Sequence, residues 1–190
     1  MIVPLIRIPI DNETELRTFE IQDADELYAL VDTNREHLYR WMGWVDTTTS
    51  VEQMRAFIRH SQARQAQENG FNAGIFYQGK LVGVIGFHYV DHEDRKTEIG
   101  YWLAASMQGK GLMTRACRAM VDYAFRELGL NRVEIQVATD NLRSRAIPER
   151  LGFTQEGILR DDVWLRDRFV DHVVYGMLAR EWNQQTGEEQ

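Results

Sequence analysis

Apolar residues along the chain change their period several times, and the changes mark out elements. The apolar stretch at residues 1–10 reads as an early strand or arm, and residues 16–20 read as a first strand. From Asp23 the spacing lengthens to three and four, with Leu27, Leu30, Val31 and Leu38 along one side, which predicts a helix. Ser50 with Gln53 three residues on is a capping box for a second helix carrying Val51, Met54, Phe57 and Ile58, and Asn69-Gly70 stops it. A hairpin is predicted over 71–78 and 81–90 around Gly79-Lys80, followed by a strand at 97–103. Leu112, Ala116, Met120, Tyr123 and Ala124 share one face of a long helix over 109–128, closed by Gly129. A strand at 132–138, a short helix at 141–151 ending at Gly152, and strands at 154–165 and 169–178 complete the order β-α-α-β-β-β-α-β-α-β-β. Interleaved helices together with hairpins predict an α/β (α+β mixed) protein: a mixed sheet with helices on its faces.

Length and composition fit that picture. A chain of 190 residues with 44% hydrophobic and 27% charged residues suits one domain able to bury a core without metals or disulfides. No linker or repeat divides it, so the domain is expected over 1–182, with 183–190 as a frayed tail. The net charge of −7 argues against a nucleic-acid binder, which presents a basic face. The single cysteine, Cys117, lies within the long helix pattern and reads as a small buried residue in a reducing, cytoplasmic setting. No stretch has the ~18 apolar residues of a membrane span, and the N-terminus lacks the layout of a signal peptide.

The chemistry concentrates where a strand, Thr97-Glu98-Ile99-Gly100-Tyr101-Trp102-Leu103, runs into Gln108-Gly109-Lys110-Gly111-Leu112-Met113-Thr114 at the start of the long helix. The first turn of a helix leaves backbone N–H groups without internal partners, its dipole favours anions, and glycines let a phosphate approach the main chain. Residues 108–114 therefore read as a diphosphate cradle or, more simply, as a glycine helix start. The spacing matches neither a P-loop nor a GxGxxG fingerprint. The run containing His88, Asp91, His92, Glu93 and Asp94 lacks metal-ligand spacing and reads as a solvated loop. His37, His60 and His172 lie in unrelated segments, so no Ser-His-Asp nucleophile is legible.

One strand later comes Asn131-Arg132-Val133-Glu134, then Asn141-Leu142-Arg143-Ser144 through Leu151-Gly152-Phe153. With the Glu-Ile-Gly-Tyr-Trp strand, the Gln-Gly-Lys-Gly loop, Leu38-x-x-Trp41-x-x-Trp44 and the closing Arg160…Asp171…Tyr175 and Arg180-Glu181-Trp182 segments, the chain resembles the GNAT acetyltransferases. Its nearest branch is the RimJ/RimL type, which acetylates ribosomal-protein N-termini. The resemblance covers nearly the whole chain. Met113 stands where the general superfamily loop has Gly or Ala, a feature of the branch.

The resemblance implies a mostly antiparallel mixed sheet with a splayed parallel strand pair, and acetyl-CoA as cosubstrate with no metal. Tyr101, Trp102 and Leu103 would lie along the pantetheine arm, and the backbone of Gln108, Gly109, Lys110, Gly111, Leu112, Met113 and Thr114 would hold the diphosphate. Asn141 would hydrogen-bond the arm. Attack of an amine on a thioester needs a deprotonated amine, a polarised carbonyl and a proton for the leaving thiolate. Glu98 is the first candidate base and Glu134 the second, with a structural strand carboxylate as the alternative for Glu98. Ser144 is the candidate contact for the thiolate, or an ordinary first-turn serine. Trp41 and Trp44 either wall the acceptor groove or pack the core. The expected acceptor is a protein N-terminal α-amine, and a homodimer follows from family habit. A small-amine acetyltransferase for a polyamine, amino acid or drug stays open, as does a non-catalytic acyl-CoA-binding module. The missing Lys-Ser/Thr pair argues against phosphoryl transfer.

Overall fold

The computed structural model describes residues 3–187. One eight-stranded sheet organises them: β1 (Arg7–Pro9), β2 (Thr14–Thr18), β3 (Asn72–Tyr77), β4 (Lys80–Asp91), β5 (Lys96–Leu103), β6 (Arg132–Ala138), β7 (Thr154–Leu165) and β8 (Arg168–Leu178). Their order is β1-β2-β3-β4-β5-β6-β8-β7. Every neighbouring pair is antiparallel except β5 and β6, which run parallel.

Helices cover both faces. On one side, α1 (Ala24–Thr33), α2 (Arg35–Tyr39) and α3 (Val51–Ala66) pack Leu27, Val31, Leu38, Met54 and Ile58 against Phe76, Leu81 and Val84. On the other, α4 (Leu112–Arg126) buries Leu112, Ala116, Cys117, Met120 and Ala124 against Ile85, Phe87, Ile99 and Val133. Cys117 is fully buried and its thiol is pushed far up by desolvation, so it is a packing residue. α5 (Leu142–Arg150) follows β6, and α6 (Ala179–Thr186) closes the chain. The two sides give β5 two characters: Ile99 and Leu103 join the α4 core, whereas Trp102 packs with the α1–α3 side.

Several boundaries differ from the sequence expectation for identifiable reasons. The first helix breaks at Asn34, whose amide donates to Leu30 O at 2.9 Å, so Leu38 belongs to a separate helix, α2. The long helix starts at Leu112 and not at residue 109, because Gly109 and Gly111 hold positive φ of 78° and 70°. The expected frayed tail is helical as far as Thr186, anchored by fully buried Trp182, whose indole N–H donates to Asp122 at 2.7 Å. Residues 188–190 of that tail, and residues 1–2 of the expected N-terminal arm, lie outside the described residues. The capping box at Ser50 and Gln53 forms as the pattern predicts, with Gln53 Oε1 accepting from Ser50 N at 3.0 Å.

Candidate active site

The parallel pair is the centre of the site. β5 and β6 pair only at Lys96–Arg132, Thr97–Val133 and Glu98–Glu134. Beyond Glu98 each strand stays bonded on its outer side, β5 to β4 through Leu103 and β6 to β8 through Ala138, while the two separate from each other. Main-chain groups on the facing edges of Ile99–Leu103 and Ile135–Ala138 thus lack a strand partner across the gap. Buried strand edges are normally satisfied, so an open wedge in mid-sheet is a built feature. A cavity of about 580 Å³ includes this wedge, with Tyr101 and Trp102 on one wall and Gln136, Ala138 and Ser144 on the other.

From the open end of β5 the chain runs through residues 104–110 to the N-terminus of α4, and Gln108 in that loop is tied to Arg143 of α5, the helix that follows β6. Gly111 is the N-cap of α4 in left-handed geometry, and no side chain caps the helix. The first-turn N–H groups therefore lack an internal partner, an arrangement that suits an anion by charge and geometry. Lys110 and Arg143 flank it. Lys110 Nζ lies 3.7 Å from Met107 Sδ and 5.5 Å from the Tyr77 ring, and Arg143 donates to Gln108 Oε1 at 2.7 Å. Among the described residues neither cation has a carboxylate partner. Gln108 does more than supply backbone: its amide nitrogen meets His37 Nε2 at 3.1 Å and so ties α2 to α5 across the loop. Met113 is buried in the core under the helix, so its bulk does not enter the loop.

Asn141 caps α5 through Oδ1, which accepts from Ser144 N at 3.3 Å. Ser144 Oγ donates to the Tyr101 hydroxyl at 3.3 Å, and that hydroxyl donates to Ser144 O at 3.1 Å. The sequence expectation placed Tyr101 only along the pantetheine arm, and residues 141–153 contain no tyrosine. The fold supplies one from β5 instead. Burial holds the Tyr101 phenol well above its ordinary value, so it remains protonated.

The two candidate carboxylates sit side by side in register yet differ in partner. Glu134 accepts from Arg132 Nε at 2.7 Å, and Arg132 also grips Glu156. Those two carboxylates push the Arg132 guanidinium up, Glu156 most of all, and Arg132 in turn holds Glu156 below the usual range. Glu98 instead contacts an imidazole, His88 Nδ1, at 3.1 Å.

Trp41 and Trp44 both line the cavity, and the Trp44 ring lies 6.1 Å from that of Trp102. The three histidines His60, His88 and His172, scattered in sequence, line the same space. His88 belongs to β4 and not to the polar loop that follows it. The tip of the β7–β8 hairpin folds back onto this wall: Arg166 lies 3.4 Å from the Tyr39 ring centroid, donates to Met42 O at 3.3 Å and stands 3.1 Å from Asp46.

A wedge in a mixed sheet, an uncapped glycine helix start and an adjoining aromatic cavity together match a known arrangement. The family model for the acetyltransferase (GNAT) domain matches residues 14–154. The chain belongs to the GNAT acetyltransferase family. It is 41% identical over 91% of its length to YdaF of Bacillus subtilis (strain 168), named as a candidate ribosomal N-acetyltransferase, and covers 95% of that protein. The solved structure of RimL, a ribosomal L7/L12 alpha-N-protein acetyltransferase in complex with coenzyme A, superposes with a TM-score of 0.89 at 27% identity, covering 93% of this chain and 99% of RimL. The microcin C7 self-immunity acetyltransferase MccE, solved with acetyl-CoA and AMP, superposes at 0.85 with 30% identity, covering 89% and 94% of the two chains. The chain is thus an N-acetyltransferase of RimJ/RimL-like type. Among the described residues, no helix is long and apolar enough to cross a membrane.

Proposed function

We propose that the enzyme transfers acetyl from acetyl-CoA to the N-terminal α-amine of a protein, a ribosomal protein by analogy with its relatives, in a ternary complex. The observation that carries the reading is the wedge between β5 and β6 together with the uncapped start of α4, which the open end of β5 leads into and the Arg143–Gln108 bond ties to α5. Acetyl-CoA brings an activated thioester, a long amide-bearing arm and a diphosphate, and each has a counterpart in the chain. Unpaired strand edges at Tyr101, Trp102 and Leu103 suit the arm. The N–H groups of residues 108–114 suit the diphosphate, with Lys110 and Arg143 beside them. Asn141 holds the α5 turn that borders the arm.

Ser144 and Tyr101 form a hydroxyl pair on the α5 side of the wedge, the right chemistry to stabilise and protonate a departing thiolate. Glu98 stands at the last paired position, where the strands part. Glu134 is already engaged by Arg132 Nε at 2.7 Å, whereas Glu98, among the described residues, has no arginine partner in the site. An α-amine, with a reference pKa of about 8, asks less of a base than a lysine near 10.4. The cavity walled by Trp41 and Trp44 would take the acceptor's end. A cytoplasmic setting, where ribosomal proteins and acetyl-CoA meet, follows from this reading.

A homodimer is part of the proposal: the β7–β8 edge exposes Ile158, Leu159, Val163, Trp164 and Phe169, with Trp164 and Phe169 in edge-to-face contact at 4.8 Å. Light scattering should give about twice the chain mass of 22.2 kDa, and a monomeric mass contradicts it. The function itself is tested by following free-thiol release from acetyl-CoA with peptides carrying a free or a blocked α-amine, beside spermidine and free amino acids. Release with the free-amine peptides alone supports a protein N-terminus as acceptor. Release with spermidine or an amino acid alone moves the assignment to a small amine.

A further inference from the structure

His88 and Glu98 lie on adjacent antiparallel strands, and a β-bulge brings them together. Pairing runs Phe87–Ile99 and resumes at Val90–Thr97, so His88 and Tyr89 together oppose Glu98. A bulge of two residues against one re-aims a side chain. Here Phe87 points into the α4 core and the His88 ring turns to the acceptor cavity. Arg64 of α3 fixes the bulge, donating to Phe87 O at 2.8 Å and His88 O at 2.5 Å. The Glu98 carboxylate, largely covered, accepts from His88 Nδ1 at 3.1 Å. That bond leaves the Nε2 lone pair open. The ring lies over Gly100: a Cβ there would stand 2.0 Å from Nε2. Gly100 is two residues beyond the last parallel pair, in the open half of β5. Nε2 is therefore held at the wedge, on the acceptor side.

We propose that His88 Nε2, oriented by Glu98, accepts the proton of the attacking amine. This rests on the acetyl-transfer reading and names its proton acceptor. The amine nitrogen forms its bond to the acetyl carbonyl carbon as the carbon–sulfur bond breaks, with that electron pair leaving on sulfur. The nitrogen's surplus proton passes to Nε2, and Glu98 stabilises the imidazolium. The thiolate takes a proton relayed through the Tyr101–Ser144 pair, which recovers one from solvent as His88 returns its own there, so the products are an amide and a thiol and every protein group regains its starting state. The charged and titratable groups around the ring are Glu98 on β5, Arg64 and His60 on α3, Tyr89 on β4, and Glu134 with its partner Arg132 on β6. Across the cavity stands His172 on β8, 3.1 Å from Asp162. Of these, Glu98 is the carboxylate in contact with the ring.

The test compares wild type, His88→Ala and Glu98→Gln. Acetyl-CoA affinity and thiol release with a free-α-amine peptide are measured on each, and the His88 ring tautomer by 15N NMR on the wild type and Glu98→Gln. The expected result is a fall in kcat of about 100-fold in His88→Ala, with acetyl-CoA Kd within twofold and partial rescue by free imidazole. Glu98→Gln should lower kcat severalfold at unchanged acetyl-CoA Kd and shift the His88 ring away from the Nδ1–H tautomer in its 15N spectrum, because the carboxylate that accepts from Nδ1 is gone. His88→Ala turning over within threefold of wild type, or no imidazole rescue, overturns the proposal. So does an unchanged His88 tautomer in Glu98→Gln, whether or not turnover is seen. Failure of the wild type to bind acetyl-CoA sinks the acetyl-transfer reading itself, and that outcome is separate from the others.

Discussion

The wedge has two sides that are built in opposite ways. Its cradle side is almost all main chain: strand edges, two left-handed glycines and the first turn of α4. Its other side, which the proposal gives to the acceptor, is almost all side chain, contributed by α1, α3, β4, β5, β8 and the Trp41–Trp44 segment, with the hairpin tip packed on its wall. A diphosphate and an amide-bearing arm offer the same polar groups whatever the acceptor is, so backbone suffices for them. An acceptor varies, and only side chains can discriminate. Changes of side chain on the cradle side should thus matter little unless they disturb the backbone. On the acceptor side they should reach activity without touching cofactor affinity.

The largest effect is expected from Gly111→Val. A non-glycine residue at φ 70° is strained by roughly 1–2 kcal/mol, more for a β-branched one, and the chain can relieve this only by moving the loop. Acetyl-CoA affinity should fall at least 100-fold by calorimetry while the fold survives. Unchanged affinity breaks the claim that left-handed glycines shape the cradle. Gly100→Ala should come next. The new methyl group displaces the His88 ring, which can swing outward, so Tm should move by no more than a few degrees. Meanwhile kcat should fall at least tenfold with acetyl-CoA affinity intact. A Tm loss matching the activity loss would make Gly100 a packing glycine.

Arg166→Ala removes the hold of the hairpin tip on Tyr39, Met42 and Asp46. The loss is on the order of 1 kcal/mol. Acceptor KM should rise severalfold at constant acetyl-CoA Kd, and an equal change in both would show that the two sides are coupled. The smallest effect concerns acid stability. Arg132 holds Glu156 below its ordinary value of 4.5, so the pair stabilises the fold above that value and loses the contribution as pH falls through the lower, folded-state value. Glu156→Gln should flatten the decline of Tm in that acid window and leave the neutral-pH rate unchanged. Partial exposure of the pair keeps the expected shift small.

The same contrast explains what was legible in the sequence. Strand and helix positions followed from period and caps, as at Ser50 and Gln53, because those signals are local. The turn before α4 was legible because glycine spacing encodes backbone shape, here left-handed at Gly109 and Gly111. The acceptor side was not: Tyr101 reaches Ser144 across 43 positions, and Arg64 reaches His88 across 24. His88 and Glu98 are ten apart, but only the bulge sets them face to face. The break at Asn34 was hidden because the apolar stripe continues through it. The anchoring of α6 by Trp182 was hidden because its partner, Asp122, lies in a different helix.

The central claim is that acetyl-CoA occupies the wedge between β5 and β6. Thermal unfolding of the wild-type protein with acetyl-CoA, and separately with ATP, tests it most directly. A ligand that binds only the folded chain at about 100 times its Kd should raise Tm by on the order of 5–10 °C. The account predicts that rise for acetyl-CoA and a much smaller one for ATP. No rise with acetyl-CoA, or an equal rise with both, would contradict it.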